Sequence, residues 1–479
     1  MTDLLVMKFG GTSMGSAERI KVAASICAAE RKKRPVVAVV SAMSKVTDLL
    51  LNTLRLAESG DRTDVENHIE RLRTRHLEAC HELLPETRNS KTIGWVESLI
   101  AEFERIAQGV LMLGERPPRS VDEAVAIGEQ LSAQMLALYL DANGTAAVAV
   151  NGSEVIVTDA IFGNANPLMK ETRDRAIEKL EPLLHRGVLP VVTGFNGATL
   201  DGRATTLGRG GSDFSASILA SALDAAELWI WTDVDGIMTA DPRLVKDAAV
   251  LAEVTYHEAA ELAYNGAKVL HPRTLAPLIE KGIPVWSKNS FALDKPGTKI
   301  APLLKATTGP KAVTSMPNVA LISIEPANLT VNGTQIMARA LDALARANAE
   351  VLAFSSSSYR QAFCFLVRQE ELREAMNSLE VGLALELAHG YVRPLDVDTD
   401  VGLLAVVGEG MQGTQGVAGR IFTAISQEKV NIIAIAQGSS ELTIAIVVAR
   451  AGLENAVRAI HEECGMGTLN VSPNRFQLY

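Results

Sequence analysis

LLVMKFGGTSMGSAERIKVAASICAAERKKRPVVAVV, residues 4–40, decides how this chain is read. Leu4–Phe9 is short and apolar, and Gly10-Gly11-Thr12-Ser13 breaks it. Ser16 is placed to N-cap a helix from Ala17 to about Lys33, with Ile20, Ala23, Ala24 and Cys27 on one face. Pro35 leads into Val36–Val40, an uninterrupted apolar run of the kind buried on both faces of a sheet. A strand, a helix and a second strand this closely spaced predict a parallel α/β sheet.

Outward from this unit, residues 52–118 are charged and rich in Glu, Arg and His, and predict two or three helices packed outside the α/β body. Ser120 and Glu123 form a capping box for a helix reaching about Asn143. Strands predicted at Ala146–Val150, Leu189–Phe195, Leu228–Thr232 and Ile283–Lys288 alternate with helical stretches, giving one α/β domain over residues 1–290. Residues 291–315, with Pro296, Gly297, Pro302, Gly309 and Pro310, read as a linker. Beyond it Gly333-Thr334-Gln335 recurs as Gly413-Thr414-Gln415, and the flanking strand and helix patterns recur with it. Each copy predicts β-α-β-β and a further helix, a small ferredoxin-like unit. The two copies, 316–395 and 396–479, can intertwine, and their size suits regulation or assembly better than catalysis.

With 479 residues the chain has room for about three domains. Apolar residues are 47% and charged residues 21%, which excludes a disordered tail. Lys plus Arg (46) minus Asp plus Glu (56) gives −10, so the surface as a whole repels nucleic acid and anionic membranes. Any anionic ligand therefore needs a local basic pocket. No apolar run is long enough to span a bilayer, and no secretory signal opens the chain. Cys27, Cys80, Cys364 and Cys464 lie far apart without a CxxC pair, as expected of a cytoplasmic protein.

Three glycine-rich or acidic turns follow strands. Lys8-Phe9-Gly10-Gly11-Thr12-Ser13 lets backbone approach a phosphate near a helix start, with Lys8 as a point charge; a tight turn with a solvated lysine satisfies the same residues. It is neither a P-loop nor GxGxxG. Thr205-Thr206-Leu207-Gly208-Arg209-Gly210-Gly211-Ser212-Asp213 gathers three glycines, three hydroxyls, an arginine and an acid at a helix N-terminus, more than a structural turn needs. Arg209 offers a planar fork for carboxylate or phosphate. Trp231-Thr232-Asp233-Val234-Asp235-Gly236 ends a strand where open α/β sheets bind ligands, although both aspartates serve equally as turn formers. Glu129 follows Gly128 inside an apolar helix; the glycine hints at close approach, while an exposed helical glutamate is the plainer reading. Ser41 and Thr47 are helix caps or ligand groups. Gly408-Glu409-Gly410-Met411-Gln412-Gly413 matches GxGxxG but lies in one repeat copy without a ribose-binding acid, so no dinucleotide site is expected. No metal-ligand spacing is present.

Taken in order, KFGGTS (8–13), SAMSKVTDLL (41–50), Gly128-Glu129, TTLGRGGSD (205–213), WTDVDG (231–236), TADPR (239–243) and GAKVLHP (266–272) resemble the aspartate kinases. The resemblance covers nearly the whole chain, because the repeat is similar to the paired ACT domains of that family. It implies an amino-acid-kinase fold, a parallel-rich sheet between helices followed by two ferredoxin-like ACT domains. It further implies transfer of the γ-phosphoryl of MgATP to the β-carboxylate of L-aspartate. By the same resemblance Lys8 contacts the transferring phosphoryl, Asp213 organises the site, Arg209 meets the α-carboxylate, and Glu129 faces the ammonium with Ser41, Thr47 and Thr206 nearby. Gly10, Gly11 and Ser13 supply backbone donors to phosphate, and Thr232, Asp233, Met238, Arg243 and Lys268 frame the nucleotide. Met238 stands where the family often has Tyr, so a phenol hydrogen bond is missing there.

The ACT pair implies feedback by an end-product amino acid, lysine or threonine, and a homodimer or dimer of dimers built through the repeats. Met411, Gly416, Asn431, Ile432 and Gln437 mark the expected effector edges. The reaction opens lysine, threonine, methionine and ectoine synthesis alike, with an ectoine-linked enzyme as one sub-hypothesis. The chain ends with the repeats, so no appended homoserine dehydrogenase is expected. Two other readings compete: a kinase of glutamate, acetylglutamate or a nucleoside monophosphate, and an amino-acid sensor that lost phosphoryl transfer. Both Lys8 and Asp213 are present, against the sensor.

Overall fold

The computed structural model describes residues 3–84, 86–267, 270–302, 309–327, 332–358 and 361–468. The chain opens as β1 (Leu5–Phe9), α1 (Ala17–Arg31) and β2 (Val36–Val40), the expected unit. Ser16 caps α1, its hydroxyl oxygen accepting from the Arg19 amide, and every residue of β1 and β2 is buried. Next come α2 (Val46–Glu58), α3 (Arg62–Leu83), α4 (Glu86–Leu113) and α5 (Pro118–Ala142). The first three pack on the body and extend its core. Leu54, Leu72, Ile100 and Phe103 share one apolar core with Met7, Phe9 and Val40, because each helix carries an apolar stripe as well as a charged face. Helix α5 starts two residues before the expected capping box: Pro118, with its preset φ, takes the first helical position and Ser120 falls inside the first turn.

The α/β part continues through β3 (Ala147–Val150), α6 (Met169–His185), β4 (Leu189–Thr193), β5 (Asn196–Ala198), β6 (Ala204–Thr206), α7 (Gly211–Ala222) and β7 (Glu227–Thr232). It closes with β8 (Glu253–Thr255), α8 (Tyr256–Tyr264), α9 (Pro272–Ile279), β9 (Val285–Asn289) and β10 (Thr298–Ala301). One eight-stranded sheet runs β3-β4-β2-β1-β7-β9-β10-β8, parallel throughout except where β10 meets β9. β1 therefore has its sequence neighbour β2 on one side and the late strand β7 on the other. Phe9 is in register with both Val40 and Trp231, so three carboxyl ends open at a topological switch point. Alternation along β1 sends Leu5, Met7 and Phe9 into the core shared with α1–α5, and turns Lys8 to the other face.

The repeat comprises β11 (Ala312–Met316), β12 (Val319–Ile324), α10 (Gly333–Arg346), β13 (Ala353–Ser356), β14 (Phe363–Arg368), α11 (Leu372–Gly382), α12 (Ala384–Ala388) and β15 (Asp396–Asp398). Then follow β16 (Val401–Val407), α13 (Val417–Gln427), β17 (Ile432–Gln437), β18 (Thr443–Ala449) and α14 (Leu453–Glu463). Two four-stranded sheets result, β13-β14-β12-β15 and β11-β16-β18-β17. The second copy's edge strand, β11, precedes the whole first copy in sequence, so the two are interlaced. Residues 291–315, expected as a linker, carry β10 and the start of β11; their prolines and glycines mark turns between short strands. The chain forms two compact units: Met1–Ile237 with Ala252–Tyr256 and Leu270–Leu303, and Met238–Leu251 with His257–Val269 and Leu304–Tyr479.

Candidate active site

A cavity of ≈610 Å³ opens at the carboxyl ends of β1 and β2, bordered by Gly11, residues 41–45, Thr47, Asp48, Glu129 and the 208–213 loop. Its volume suits a small-molecule ligand. Lys8 reaches it from the face of β1 opposite the main core, where α7 packs. Gly210, in left-handed conformation (φ 69°), turns the chain into α7 and brings Asp213 into the first helical turn. The Asp213 carboxylate does not cap that helix; its Oδ1 stands 2.5 Å from Lys8 Nζ. The carboxylate also sits where the helix dipole favours negative charge. Arg209 lines the same cavity from the loop before α7.

Glu129 enters from α5 and is 2% exposed, not the solvated helical acid of the plainer reading. Gly128 makes this possible. A Cβ there would lie 3.0 Å from the Ala42 Cβ and 3.2 Å from Val46 Cγ1, so α5 approaches α2 closely only without a side chain. Glu129 Oε1 accepts from the Ala42 amide at 3.1 Å, while Oε2 is buried with no hydrogen-bond partner among the described residues. Burial pushes its carboxyl up to about 8, against the opposing pull of the Ala42 amide and the nearby charge of Lys8. The cavity thus combines Lys8, Lys45 and Arg209 as cations with Asp48, Glu129 and Asp213 as acids.

The structure brings Lys8, Gly11, Ser41, Thr47, Glu129, Arg209 and Asp213 together around this space. Thr206 is not among them. Its hydroxyl donates to Asp122 Oδ1 at 2.7 Å and its amide to Oδ2 at 3.0 Å, beneath the loop instead of toward the cavity. Gly10 was expected to offer its amide to phosphate, but that N–H donates to the Trp231 carbonyl at 3.1 Å, the price of extending the β1–β7 ladder. The Ser13 hydroxyl is buried against Ser290 Oγ at 2.8 Å. Thr232 ends β7 and Asp233 follows it, the Thr232 hydroxyl donating to the Asp233 carboxylate at 3.3 Å. Met238 and Arg243 fall in the second compact unit, where Met238 bridges Val250 and the exposed Arg243 pairs with Asp241 at 2.6 Å. Lys268 lies outside the described residues.

Several cavity residues carried no assigned role in the sequence. Lys45 sits in the left-handed region (φ 64°) at the start of α2, an uncommon conformation for a side-chain-bearing residue, and Phe195 does the same (φ 71°) beside α7. Asp122, 1% exposed, anchors the Gly163 amide at 2.8 Å as well as Thr206; burial raises its carboxyl above the usual range despite those donors. Nothing in its local sequence separates it from a surface helical acid.

Of the expected effector residues, Met411 is 4% exposed within the apolar core of the second repeat copy, so its side chain is structural. Asn431 and Gln437 are exposed at the ends of β17, and Gly416 (φ 83°) starts α13.

The family model described as the amino acid kinase family matches residues 3–289, the span that holds this cavity, and an ACT domain model matches residues 404–464. The chain belongs to the amino acid kinase family. Over 95% of its length it is 34% identical to bifunctional aspartokinase/homoserine dehydrogenase 1 of Arabidopsis thaliana, spanning about half the length of that relative. It is 31% identical to aspartokinase 1 of the same plant, again over 95% of the chain and 79% of the relative. Among solved structures of this amino acid kinase's relatives, E. coli aspartokinase III in complex with aspartate and ADP superimposes with a TM-score of 0.81 at 29% identity, covering 96% of this chain and 99% of that one. The Clostridium acetobutylicum aspartate kinase gives 0.77 at 26% identity, with 96% and 100% covered.

Proposed function

We propose that this amino acid kinase is an aspartate kinase, transferring the γ-phosphoryl of MgATP to the β-carboxylate of L-aspartate. One observation carries the reading: Lys8, Arg209, Glu129 and Asp213 border a single cavity, offering one cation to a phosphoryl group, a second to an α-carboxylate and acids for an ammonium. The acceptor carboxylate is ionised at pH 7, so attack needs no general base. One of its oxygens bonds to the γ-phosphorus while the bond from that phosphorus to the β,γ-bridging oxygen breaks, and ADP leaves with the electron pair. Catalysis then rests on positioning and charge neutralisation. Lys8 neutralises the oxygens in flight, and Asp213 holds Lys8 in place. Arg209 pairs with the α-carboxylate. Glu129, held protonated by burial, gives up its proton to solvent as the substrate ammonium arrives beside its unpartnered Oε2. Glycine backbone at Gly11 follows the phosphates, with Thr232 and Asp233 on the nucleotide side.

Mg2+ would arrive with the nucleotide and neutralise phosphate charge, and a carboxylate such as Asp213 would help to hold it; among the described residues no group of three metal-ligating side chains forms a cage. The four cysteines are free thiols, as a reducing cytoplasm keeps them. Gly416, Asn431, Ile432 and Gln437 are the proposed edge for a lysine or threonine effector. Exposed Phe354, Ile433 and Ile435 on β13 and β17 support a homodimer through the repeats. The deciding assay measures ADP release with MgATP and aspartate, glutamate, acetylglutamate or a nucleoside monophosphate, repeated with lysine, threonine and both. Aspartate-dependent release is expected; release with another acceptor alone overturns the reading.

A further inference from the structure

From the middle helix of the α2–α4 insertion, Arg75 reaches back to the two loops that border the cavity. Arg75 of α3 donates from Nη1 to the Ser44 carbonyl at 2.7 Å and from Nη2 to the Gly15 carbonyl at 3.1 Å. Ser44 belongs to the loop between β2 and α2, and Gly15 to the loop between β1 and α1. These loops supply Gly11 and the whole 41–45 side of the cavity. They also touch without intervening side chains: a Cβ on Gly11 would lie 3.3 Å from the Ala42 carbonyl oxygen, and one on Gly15 would lie 3.5 Å from the Ser44 Cβ. Neither contact between the loops is a hydrogen bond, and both loops present carbonyls that need a donor. A single planar guanidinium meets both.

We propose that Arg75 is a positioning residue for phosphoryl transfer, a clamp that sets the spacing between the glycine loop and the Ser41–Thr47 loop. This rests on the kinase reading of the cavity, in which the first loop follows the phosphates and the second flanks the acceptor. The donor and acceptor sides are then held at one distance by a residue that touches neither substrate. Its neighbour Lys45, in left-handed backbone, directly follows the clamped Ser44 carbonyl. The charge-assisted bonds are directional, and lysine has no planar fork to span two carbonyls.

The test compares the unaltered chain with Arg75→Ala and Arg75→Lys. Arg75→Ala is expected to lower kcat about 10- to 100-fold, the scale of a sub-ångström to ångström misplacement, with Arg75→Lys in between. Guanidinium ion at tens of millimolar, well below denaturing levels, is expected to restore part of the Arg75→Ala activity and none of the Lys8→Ala activity. Amide hydrogen exchange supplies a readout independent of turnover: residues 11–15 and 42–46 should both exchange faster in Arg75→Ala while α1 and α5 are unchanged. If the unaltered chain releases no ADP with any acceptor, the kinase reading fails, yet joint loosening of the two loops still upholds the clamp. Unchanged exchange in either loop, or an activity loss without guanidinium rescue that tracks a general loss of stability, overturns it.

Discussion

Lys8 Nζ and Asp213 Oδ1 stand 2.5 Å apart, joining the penultimate residue of β1 to the first turn of α7 across 205 positions of sequence. The pair aims a lysine along a strand end where phosphate can approach, and leaves the acid at a helix N-terminus. Lys8→Ala and Asp213→Asn are each expected to reduce kcat by about 10²- to 10³-fold or more, the usual scale for removing a preorganised charge from a transition state. Folding should be unaltered by circular dichroism. Near-normal turnover in either variant in an ADP-release assay would show that the pair is structural.

Arg209 should act on one substrate only. Arg209→Ala is expected to raise KM for aspartate about 10- to 100-fold, the equivalent of a lost charge-assisted bond, with little change in KM for ATP. Steady-state titration of each substrate at saturation of the other gives the comparison. A larger effect on ATP would move Arg209 to the nucleotide side.

Glu129 links the site to pH. Its folded carboxyl is pushed up to about 8, above its ordinary value. Between those two points the unfolded chain has lost a proton that the folded chain keeps. Stability from this group is therefore full at low pH and lost as pH rises through the folded value, at up to about 1.4 kcal/mol per unit. Urea titrations of the free protein at pH 5 and 7.5 should show this decline, and Glu129→Gln should flatten it. The parent should also bind aspartate more tightly as pH rises from about 7 to about 9, one unit on either side of the Glu129 value of about 8. Identical pH profiles for parent and variant would remove Glu129 from both roles.

Thr206 separates packing from substrate contact. Removing its hydroxyl in Thr206→Val leaves one oxygen of the buried Asp122 short of a donor, costing about 1–3 kcal/mol of stability while KM for aspartate stays within about twofold. A KM rise at unchanged stability would restore Thr206 to the substrate.

Within the repeat-bearing unit, Lys311 and Glu258 form a buried pair at 2.8 Å, 6% and 0% exposed. Lys311→Met removes the compensating cation from the buried Glu258 carboxylate, whose Oε1 also accepts from the Glu409 amide at 2.9 Å, and is expected to cost about 3–5 kcal/mol, whereas Lys311→Met with Glu258→Gln should recover most of it. Equal losses in the single and double variants, measured by thermal unfolding, would contradict this.

Much of the molecule is legible in its sequence. The Leu4–Val40 pattern predicts a parallel unit, and β1, α1 and β2 sit where it predicts them, because strand and helix periodicity are local properties of a few neighbouring residues. The recurrence of Gly-Thr-Gln likewise predicts two ferredoxin-like copies. The failures are local and long-range in character. The capping box at Ser120 lost to Pro118, which presets φ. The proline- and glycine-rich stretch at 291–315 looked like a linker because short strands leave little periodicity to read.

Glycine, lysine, arginine and acid at the ends of strands state by themselves what chemistry this chain can perform, since residue type sets charge and hydrogen-bonding capacity. Which of them meet is another matter. Sheet order put β1 between β2 and β7, helix packing at Gly128 carried Glu129 inward, Asp122 took up the Thr206 hydroxyl, and Met238 went to the other compact unit. Those outcomes depend on contacts between residues far apart in the chain, where no short-range pattern reaches, so only the folded packing decided them.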